Sequence, residues 1–343
     1  MSCHMTTATW LLPSRRVEAG LRLAAKRYIP EYGHTDGVTL LFFHCAGSHK
    51  EVWEPTIEYL FSAASSKLSA FSMREAWSFD MQNHGEGAVL NDAALETIGS
   101  SLTVEDWAEG VKRLLSSEDI FAGLKFVGVG HSLGATALLL STIADDVPAI
   151  KYEGIVLVES SLLPREVYEA HREERDGLLQ DLCAVISRRR DAWNSRTEAL
   201  TSFEKRHPWL TWDACVLQIF VHHGLRDIGP SSDGEGEVVL CCRREQESST
   251  YLHTQPHFVA AEIVRNLPPS YPLYFVVGDR LDFVPEHVRD ALMNTKQDVS
   301  VHKVVNAGHF VVQENPRGLA LALAQILTRM HILTRNSRLG SRL

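Results

Sequence analysis

Residues 127–135 read Val127-Gly128-Val129-Gly130-His131-Ser132-Leu133-Gly134-Ala135, a sequence that predicts a strand, a sharp turn and a helix. Its β-branched apolar start predicts a buried strand, and the apolar residues that follow it predict a helix. A serine in the sharp turn between strand and helix needs very small residues two positions away on each side, and Gly130 and Gly134 meet that need. Amide groups at the start of the helix can stabilise a developing negative charge. We therefore predict that Ser132 is a nucleophile rather than part of an ordinary turn.

Length, charge and cysteine content exclude several classes of protein. With 343 residues, 45% of them hydrophobic, the chain can form a full core and an inserted subdomain. The net charge of −9 provides no general attraction to nucleic acid or to anionic membranes. We predict no transmembrane segment, because no stretch has the roughly 18–20 apolar residues that a span requires. The six cysteines lack metal-type spacing, and the first residues lack a secretory pattern, so we expect a reducing intracellular compartment.

The order of strand and helix patterns predicts an α/β fold with a mostly parallel, doubly wound sheet. Strands are predicted at residues 17–29, 38–44, 77–80, 126–130, 154–158, 272–278 and 299–305, and helices at 50–64, at 103–116 and from Asn315 onward. The alternation is interrupted by an insert that is too long for an ordinary loop, which we interpret as a helical lid. The predicted division is 1–159 and 267–336 for the two parts of the core, 160–266 for the lid and 337–343 for a tail.

A serine hydroxyl is a weak nucleophile unless a base removes its proton, so a histidine is expected nearby. His309 follows a predicted strand and precedes the last predicted helix. In chains that carry their nucleophile, acid and base in the order Ser, acid, His, the base belongs in this loop. We therefore predict His309 as the general base. The sequence contains neither a phosphate-binding loop nor a dinucleotide fingerprint, and we predict no cofactor and no metal.

The loop after the strand at 38–44 is expected to complete an oxyanion hole. Its sequence is His44-Cys45-Ala46-Gly47, with a cysteine where glycine is usual. We predict the backbone amides of Ala46 and Leu133 as the two oxyanion donors. His44 is expected to organise the loop, and Cys45 to be a small buried side chain rather than a reactive thiol.

Two carboxylates compete for the role of the triad acid. Glu159 directly follows an apolar strand, so it emerges at the carboxyl edge of the sheet, where doubly wound sheets place their sites. Asp282 follows the later strand that ends at Gly278, but it lies one residue beyond the usual position, which Leu281 occupies. We favour Glu159 and keep Asp282 as the alternative.

A wider set of motifs carries a family resemblance. It comprises Leu40–His44, Gly47, Lys50, Val52–Glu54, Asp80, Asn83–Gly85, Gly130–Ser132, Trp209–Asp213, His223–Leu225 and Gly308–His309. In these residues the chain resembles α/β-hydrolases, and more narrowly fungal peroxisomal hydrolases, which include a lipase and acyl-CoA hydrolases of polyketide and toxin pathways. The resemblance covers nearly the whole chain. It implies a serine mechanism with the acid at the end of the strand before the lid, which corresponds to Glu159.

The last residues and the lid suggest a location and a substrate. Ser341-Arg342-Leu343 fits the small–basic–leucine form of a peroxisomal address, which an import receptor would read; the alternative is a cytoplasmic protein. Trp193, Trp209 and Trp212 are predicted to line an apolar acyl pocket, or else only to pack the lid on the core. An arginine run at 188–190 is suited to phosphate groups.

Together these features predict a small-molecule enzyme, most specifically a peroxisomal acyl-CoA thioesterase of fungal lipid or secondary metabolism. A peroxisomal lipase or carboxylesterase is the alternative activity. A non-catalytic binding protein on the hydrolase fold is the alternative from another class. The sequence is compatible with a monomer and with a homodimer.

Overall fold

The computed structural model describes residues 5–13, 20–99, 102–229, 236–294 and 299–340. The strands are β1 (Met5–Pro13), β2 (Arg22–Pro30), β3 (Val38–Phe43), β4 (Met73–Phe79), β5 (Phe126–His131), β6 (Tyr152–Val158), β7 (Ala192–Trp193), β8 (Leu225–Asp227), β9 (Val238–Leu240), β10 (Leu273–Gly278) and β11 (Ser300–Val304). Eight of them form one sheet in the order β1-β2-β4-β3-β5-β6-β10-β11. The pairs β1–β2 and β2–β4 are antiparallel and the others are parallel, which confirms the predicted mostly parallel sheet.

Helices cover both faces of this sheet. They are α1 (Glu54–Ala64), α2 (Gly85–Leu90), α3 (Asp92–Ile98), α4 (Val104–Ser117), α5 (Leu133–Leu140), α6 (Arg165–Ala170), α7 (Arg172–Arg188), α8 (Arg196–Phe203), α9 (Ala214–His223), α10 (Arg244–Leu252), α11 (Gln255–Asn266), α12 (Glu286–Met293), α13 (Val311–Glu314) and α14 (Pro316–Gly340). Along β3, Leu40 and Phe42 enter one apolar cluster while Leu41 and Phe43 enter the other. This alternation gives the sheet two buried faces. None of the described helices is both long and apolar enough to cross a bilayer.

The insert after β6 is not purely helical as predicted. It contains a small antiparallel sheet, β7-β9-β8, besides its helices. Its last helix, α11, packs against the core, because Ala260 and Val264 belong to the same apolar cluster as residues of the central sheet. The boundary between insert and core at residue 266 stays a prediction.

The turn between β5 and α5 is the tight one that the glycines predict. Ser132 has a φ of 51°, in the left-handed region that non-glycine residues rarely adopt. A Cβ on Gly130 would lie 2.6 Å from the carbonyl oxygen of Gly134, and a Cβ on Gly134 would overlap the carbonyl oxygen of Phe43. The amide of Ser132 donates to the Val158 carbonyl at 3.0 Å, which ties the turn to the end of β6. The glycines thus allow the strained serine to sit at the edge of the sheet.

This packing predicts that Gly134→Ala destabilises the protein. The added methyl group would force β3 and α5 apart, and overpacking of this kind costs about 1–3 kcal/mol. Gly177→Ala is the matched control, since Gly177 lies within α7 and a Cβ there would meet no atom within 4 Å. In that helix alanine should be neutral or stabilising by up to about 1 kcal/mol. Denaturant unfolding measures both free energies, and equal stability of the two variants would contradict this account of the turn.

Candidate active site

Ser132, His309 and Glu159 come together at the carboxyl edge of the sheet, and we call them the Ser–His–Glu array. Ser132 Oγ lies 3.1 Å from His309 Nε2, within hydrogen-bond distance. On the other side of the imidazole, Nδ1 lies 3.4 Å from Glu159 Oε2. All three residues are buried. His309 lies 177 positions after Ser132 and 150 positions after Glu159 in the chain. The imidazole is therefore placed to accept the serine proton at Nε2 while its Nδ1–H faces a carboxylate.

Glu159 is fixed by groups other than the histidine. Its Oε1 accepts hydrogen bonds from the Gly278 amide at 2.7 Å and from the Arg289 guanidinium at 2.8 Å. Its backbone φ of 42° turns the chain sharply after β6. These contacts leave Oε2 to face His309, so the carboxylate is held in one orientation. Arg289 lies on α12, and no local sequence pattern identifies it as a partner of Glu159.

Asp282 reaches the same loop but contacts a different part of it. Its carboxylate accepts a hydrogen bond from the backbone amide of His309 at 2.9 Å, while its side chain is 38% exposed. Its other partner is Arg280, at 3.4 Å. A Cβ on Gly308 would overlap this carboxylate, so the glycine before the histidine allows the approach. The structure thus places Glu159 at the imidazole ring and Asp282 at the backbone of the histidine loop.

Two further residues hold His309, and sequence reasoning did not identify them. The ring of Phe283 stacks on the imidazole, with centroids 4.6 Å apart and planes inclined by 20°. His131 Nε2 donates to the His309 carbonyl at 2.7 Å. Burial lowers the pKa of His131 to about 3, so it is neutral at physiological pH and acts as a fixed donor. His131 directly precedes Ser132 in the turn after β5, and this position could have indicated that it supports the site.

The expected oxyanion donors border the same space as the serine. Ala46 and Leu133 line one cavity together with Ser132. The loop that carries Ala46 is held by neutral histidines: His84 Nε2 accepts from the Gly47 amide at 3.0 Å. His44 Nε2 accepts from the Met81 amide at 3.1 Å, while its Nδ1 donates to the Cys45 carbonyl at 2.7 Å. Burial lowers the pKa of His44, as expected for a residue that organises the loop rather than carrying a proton.

A buried cluster of ion pairs around Lys50 lies directly after the loop that carries Ala46. Asp80 accepts from both the backbone amide and the ammonium group of Lys50, each at 2.8 Å. The ammonium group also contacts Glu51 at 3.0 Å and Glu86 at 2.9 Å. Burial alone would lower the pKa of Lys50, but attraction from Asp80 and Glu51 raises it above its usual value. The lysine therefore stays charged, and the cluster fixes the start of the segment that follows the loop.

The cavity above Ser132 has a volume of about 300 Å³ and lies between the core and the lid. Its walls are mostly apolar and come from α6, α7, α10, α11 and the loops after β6 and β10. The lining includes Leu163, Leu178, Leu179, Leu182, Tyr251, Phe258, Phe283 and Val284, together with the polar residues Ser161, Tyr168, Arg175, Thr250, Thr254, His257 and Asp282. Such a cavity suits an apolar group bound next to the serine.

The structure does not bring the three predicted tryptophans to this cavity. Trp193 packs on Phe203 with centroids 4.9 Å apart, and Trp209 packs on the same ring at 4.6 Å. Trp212 packs on Phe220 at 5.2 Å. All three are buried and belong to the apolar cluster on one face of the sheet. Trp212 also contacts Phe310 of the core, with centroids 6.0 Å apart, which matches the alternative that the tryptophans pack the lid on the core.

Cys45 is not poised for reaction. It is buried, Gln313 Nε2 lies 3.3 Å from its sulfur, and burial raises the pKa of its thiol to about 12. We predict that iodoacetamide at pH 8 leaves Cys45 unmodified and activity intact, because the thiolate is the reactive form. Peptide mass spectrometry measures the modification, with the exposed Cys215 as the internal positive control. Alkylation of Cys45 with parallel loss of activity would show that the thiol takes part in the reaction.

Within the described residues, one group has ligand atoms close enough for a metal ion. It consists of His171, Glu174 and His287, whose ligand atoms lie within 4.8 Å of one another. The two imidazoles stack with centroids 4.1 Å apart, a contact that accounts for their proximity without an ion. None of the three lines the cavity above Ser132.

Comparison with known proteins identifies the family and the fold. A profile of the alpha/beta hydrolase family matches residues 40–322. No curated protein sequence gives a significant match. Among solved structures, the chain is similar to the peroxisomal alpha-beta-hydrolase Lpx1 from Saccharomyces cerevisiae, with a TM-score of 0.70 and 16% identity over 98% of this chain and 90% of that one.

Two other structures are similar over almost their whole length. E-2-(acetamidomethylene)succinate hydrolase has a TM-score of 0.65 and 17% identity, over 94% of this chain and 99% of that one. The thioesterase domain from the curacin biosynthetic pathway has a TM-score of 0.62 and 15% identity, again over 94% and 99%. At these identities the similarity concerns the fold, whereas the profile match covers most of the chain. The chain belongs to the alpha/beta hydrolase family.

Proposed function

We propose that the chain is a serine hydrolase that cleaves an ester or thioester of an apolar acyl group through a covalent acyl-enzyme. The observation that carries the proposal is the Ser–His–Glu array at the base of an apolar cavity. A binding protein on the same fold would not need a nucleophile within hydrogen-bond distance of a base that in turn contacts an acid. The array therefore argues against the non-catalytic alternative.

In the proposed mechanism, Ser132 Oγ attacks the acyl carbon while His309 Nε2 takes the hydroxyl proton. Glu159 stabilises the resulting imidazolium, and the amides of Ala46 and Leu133 bind the oxyanion. Collapse of the tetrahedral intermediate expels the alcohol or thiol, which receives the proton from His309. Water then attacks the acyl-enzyme with His309 again acting as base, and the acid product leaves with Ser132 restored.

We further propose a thioester as the physiological substrate, with a simple ester as the alternative. The support is the peroxisomal type of tripeptide, since acyl groups in that compartment are carried as CoA thioesters. The arginine run does not add support: Arg189 is paired with Glu247, and Arg190 with Glu198 at 2.7 Å. We accordingly expect Arg189 and Arg190 to have little influence on CoA binding.

A substrate panel tests the activity. Octanoyl-CoA, octanoyl-N-acetylcysteamine, 4-nitrophenyl octanoate and trioctanoin share one acyl group and differ in the leaving group. We expect kcat/KM to be highest for the two thioesters. A clear preference for trioctanoin would favour a lipase, and a preference for 4-nitrophenyl octanoate would favour a carboxylesterase. No turnover of any of the four would argue for the binding-protein alternative.

We also propose a peroxisomal location. Its support is the tripeptide Ser341-Arg342-Leu343, which lies outside the described residues. A fluorescent protein fused at the N-terminus leaves Leu343 as the free carboxyl end, and the fusion should enter peroxisomes of a fungal host. Removal of the three residues should leave it in the cytosol. The same distribution with and without them would show that the tripeptide is not an address.

A further inference from the structure

The cavity above Ser132 contains one arginine among apolar walls, and its position follows from one face of α7. Arg175, Leu178, Leu179 and Leu182 all line the cavity. Their spacing of three and four residues places them on the same side of the helix. The interval from Arg175 to Leu182 spans about 10 Å along the helix axis. The leucines therefore form an apolar wall that ends in a cationic group.

Arg175 lacks a hydrogen-bonded or ion-paired partner among the residues that the structure describes, although Glu174 attracts its charge from a longer distance. No hydrogen bond or ion pair links its guanidinium to any of them, and its Nε is buried without a partner. The two carboxylates beside it in sequence are engaged elsewhere. Asp176 accepts from the Tyr168 hydroxyl, and Glu174 lies 3.5 Å from His171. By contrast, Arg172 at the start of this helix and Arg189 just after its end are both paired with glutamates.

The other polar residues near Arg175 in the cavity are neutral or donate their hydrogen bonds elsewhere, so Arg175 is the charged donor that a ligand can reach. His257 makes a hydrogen bond of 2.8 Å between its Nδ1 and Thr136 Oγ1, and burial lowers its pKa to about 4, so it is neutral at pH 7. The Thr250 hydroxyl donates to the Glu247 carbonyl at 2.7 Å. Burial also lowers the pKa of Arg175, with Glu174 and Tyr168 acting in the opposite direction. A guanidinium so placed stays charged and would gain from a bound anion.

We infer that Arg175 binds a carboxylate at the far end of the acyl group, so that the preferred substrates are half-esters or half-thioesters of dicarboxylic acids. This inference rests on the proposed hydrolase function and deepens it. A carboxylate matches the planar guanidinium through two parallel hydrogen bonds. The phosphates of a CoA leaving group are a second source of anionic oxygen. The cavity of about 300 Å³ with one arginine suits a single small anion better than several phosphates.

Paired substrates separate this inference from the general activity. The 4-nitrophenyl half-esters of adipic, suberic and sebacic acid carry a terminal carboxylate. The neutral 4-nitrophenyl hexanoate, octanoate and decanoate match them in carbon number. We expect Arg175→Met to lower the ratio of kcat/KM for the best half-ester to kcat/KM for the neutral ester of equal length on the order of 10- to 100-fold. Arg175→Lys should restore part of the loss. Arg188→Met is the matched control, since Arg188 ends the same helix, is exposed and does not line the cavity.

Several outcomes would overturn the inference. One is a ratio of kcat/KM for the half-ester to kcat/KM for the neutral ester that is the same in Arg175→Met as in the wild type. This includes an equal loss of kcat/KM on both substrate types, because a structural role of Arg175 would affect both. A loss on octanoyl-CoA without a loss on 4-nitrophenyl suberate would assign the arginine to phosphate instead. Calorimetric titration with suberate provides a readout without turnover: wild type should bind it more tightly than Arg175→Met. If no ester is hydrolysed, the proposed function fails while this titration still decides the role of Arg175.

Discussion

Replacing Ser132 with alanine should lower kcat on the order of 10⁶-fold on any substrate that the wild type turns over. The hydroxyl lies 3.1 Å from the base and borders the cavity, so its loss removes the atom that would form the acyl-enzyme. The residual rate should come from the oxyanion amides and from binding alone, and should exceed the rate in water by about 10³- to 10⁴-fold. Steady-state kinetics with a sensitive fluorogenic ester measures the difference.

A second serine in the same cavity is the control for this substitution. Ser161 also lines the cavity, but its hydroxyl is not part of the Ser–His–Glu array. Ser161→Ala should retain most of the wild-type activity, and both variants should unfold at the wild-type temperature. If Ser132→Ala kept a substantial fraction of wild-type kcat, another nucleophile or a directly activated water would have to carry the reaction.

Replacing Glu159 with glutamine should lower kcat by about 10³- to 10⁴-fold. The amide oxygen of glutamine can still accept from Gly278 and Arg289, which directs the NH₂ group toward His309 Nδ1. An NH₂ donor at Nδ1 favours the imidazole tautomer with its proton on Nε2. That tautomer cannot accept the proton of Ser132, so the general base is lost although the shape of the site is kept.

Comparing Asp282→Asn with Glu159→Gln shows which of the two carboxylates is the acid of the triad. Because Asp282 accepts from the backbone amide of His309, the asparagine oxygen can still fill that role, and the loss in kcat should be about tenfold or less. The two variants are closely matched, since each exchanges a carboxylate for its amide next to the same histidine. A larger effect of Asp282→Asn than of Glu159→Gln would reverse the assignment of the acid.

The features that the sequence predicted well are those that depend on short stretches of chain. The turn at Ser132 requires glycine at positions 130 and 134, because a Cβ at either position would clash with backbone atoms. These atoms belong to the start of α5 and to the end of β3. The buried strands β3, β5, β6 and β10 are apolar because both faces of the sheet are covered. The positions of Glu159 and His309 follow from the ends of such strands, since parallel strands bring their carboxyl ends to one edge.

The features that escaped prediction depend on contacts between distant segments. Arg289 holds Glu159 across 130 positions, and an arginine on a helix has many other uses. Asp282 follows β10 as an acid would, yet the local turn directs its carboxylate to a backbone amide instead of the ring. The tryptophans of the lid were compatible both with a pocket and with packing, and only their three-dimensional neighbours distinguish the two. The strand β1 was not predicted either.

The position of a covalent adduct with a fluorophosphonate would identify the catalytic nucleophile. The reagent phosphonylates a serine whose proton a neighbouring base removes, so it reports the activated nucleophile itself. Labelled protein is digested and the adduct is located by tandem mass spectrometry, with hydrolysis followed in parallel. We expect one adduct, on Ser132, that forms at the rate at which activity is lost. An adduct on another residue, or full hydrolysis by protein modified at Ser132, would contradict it.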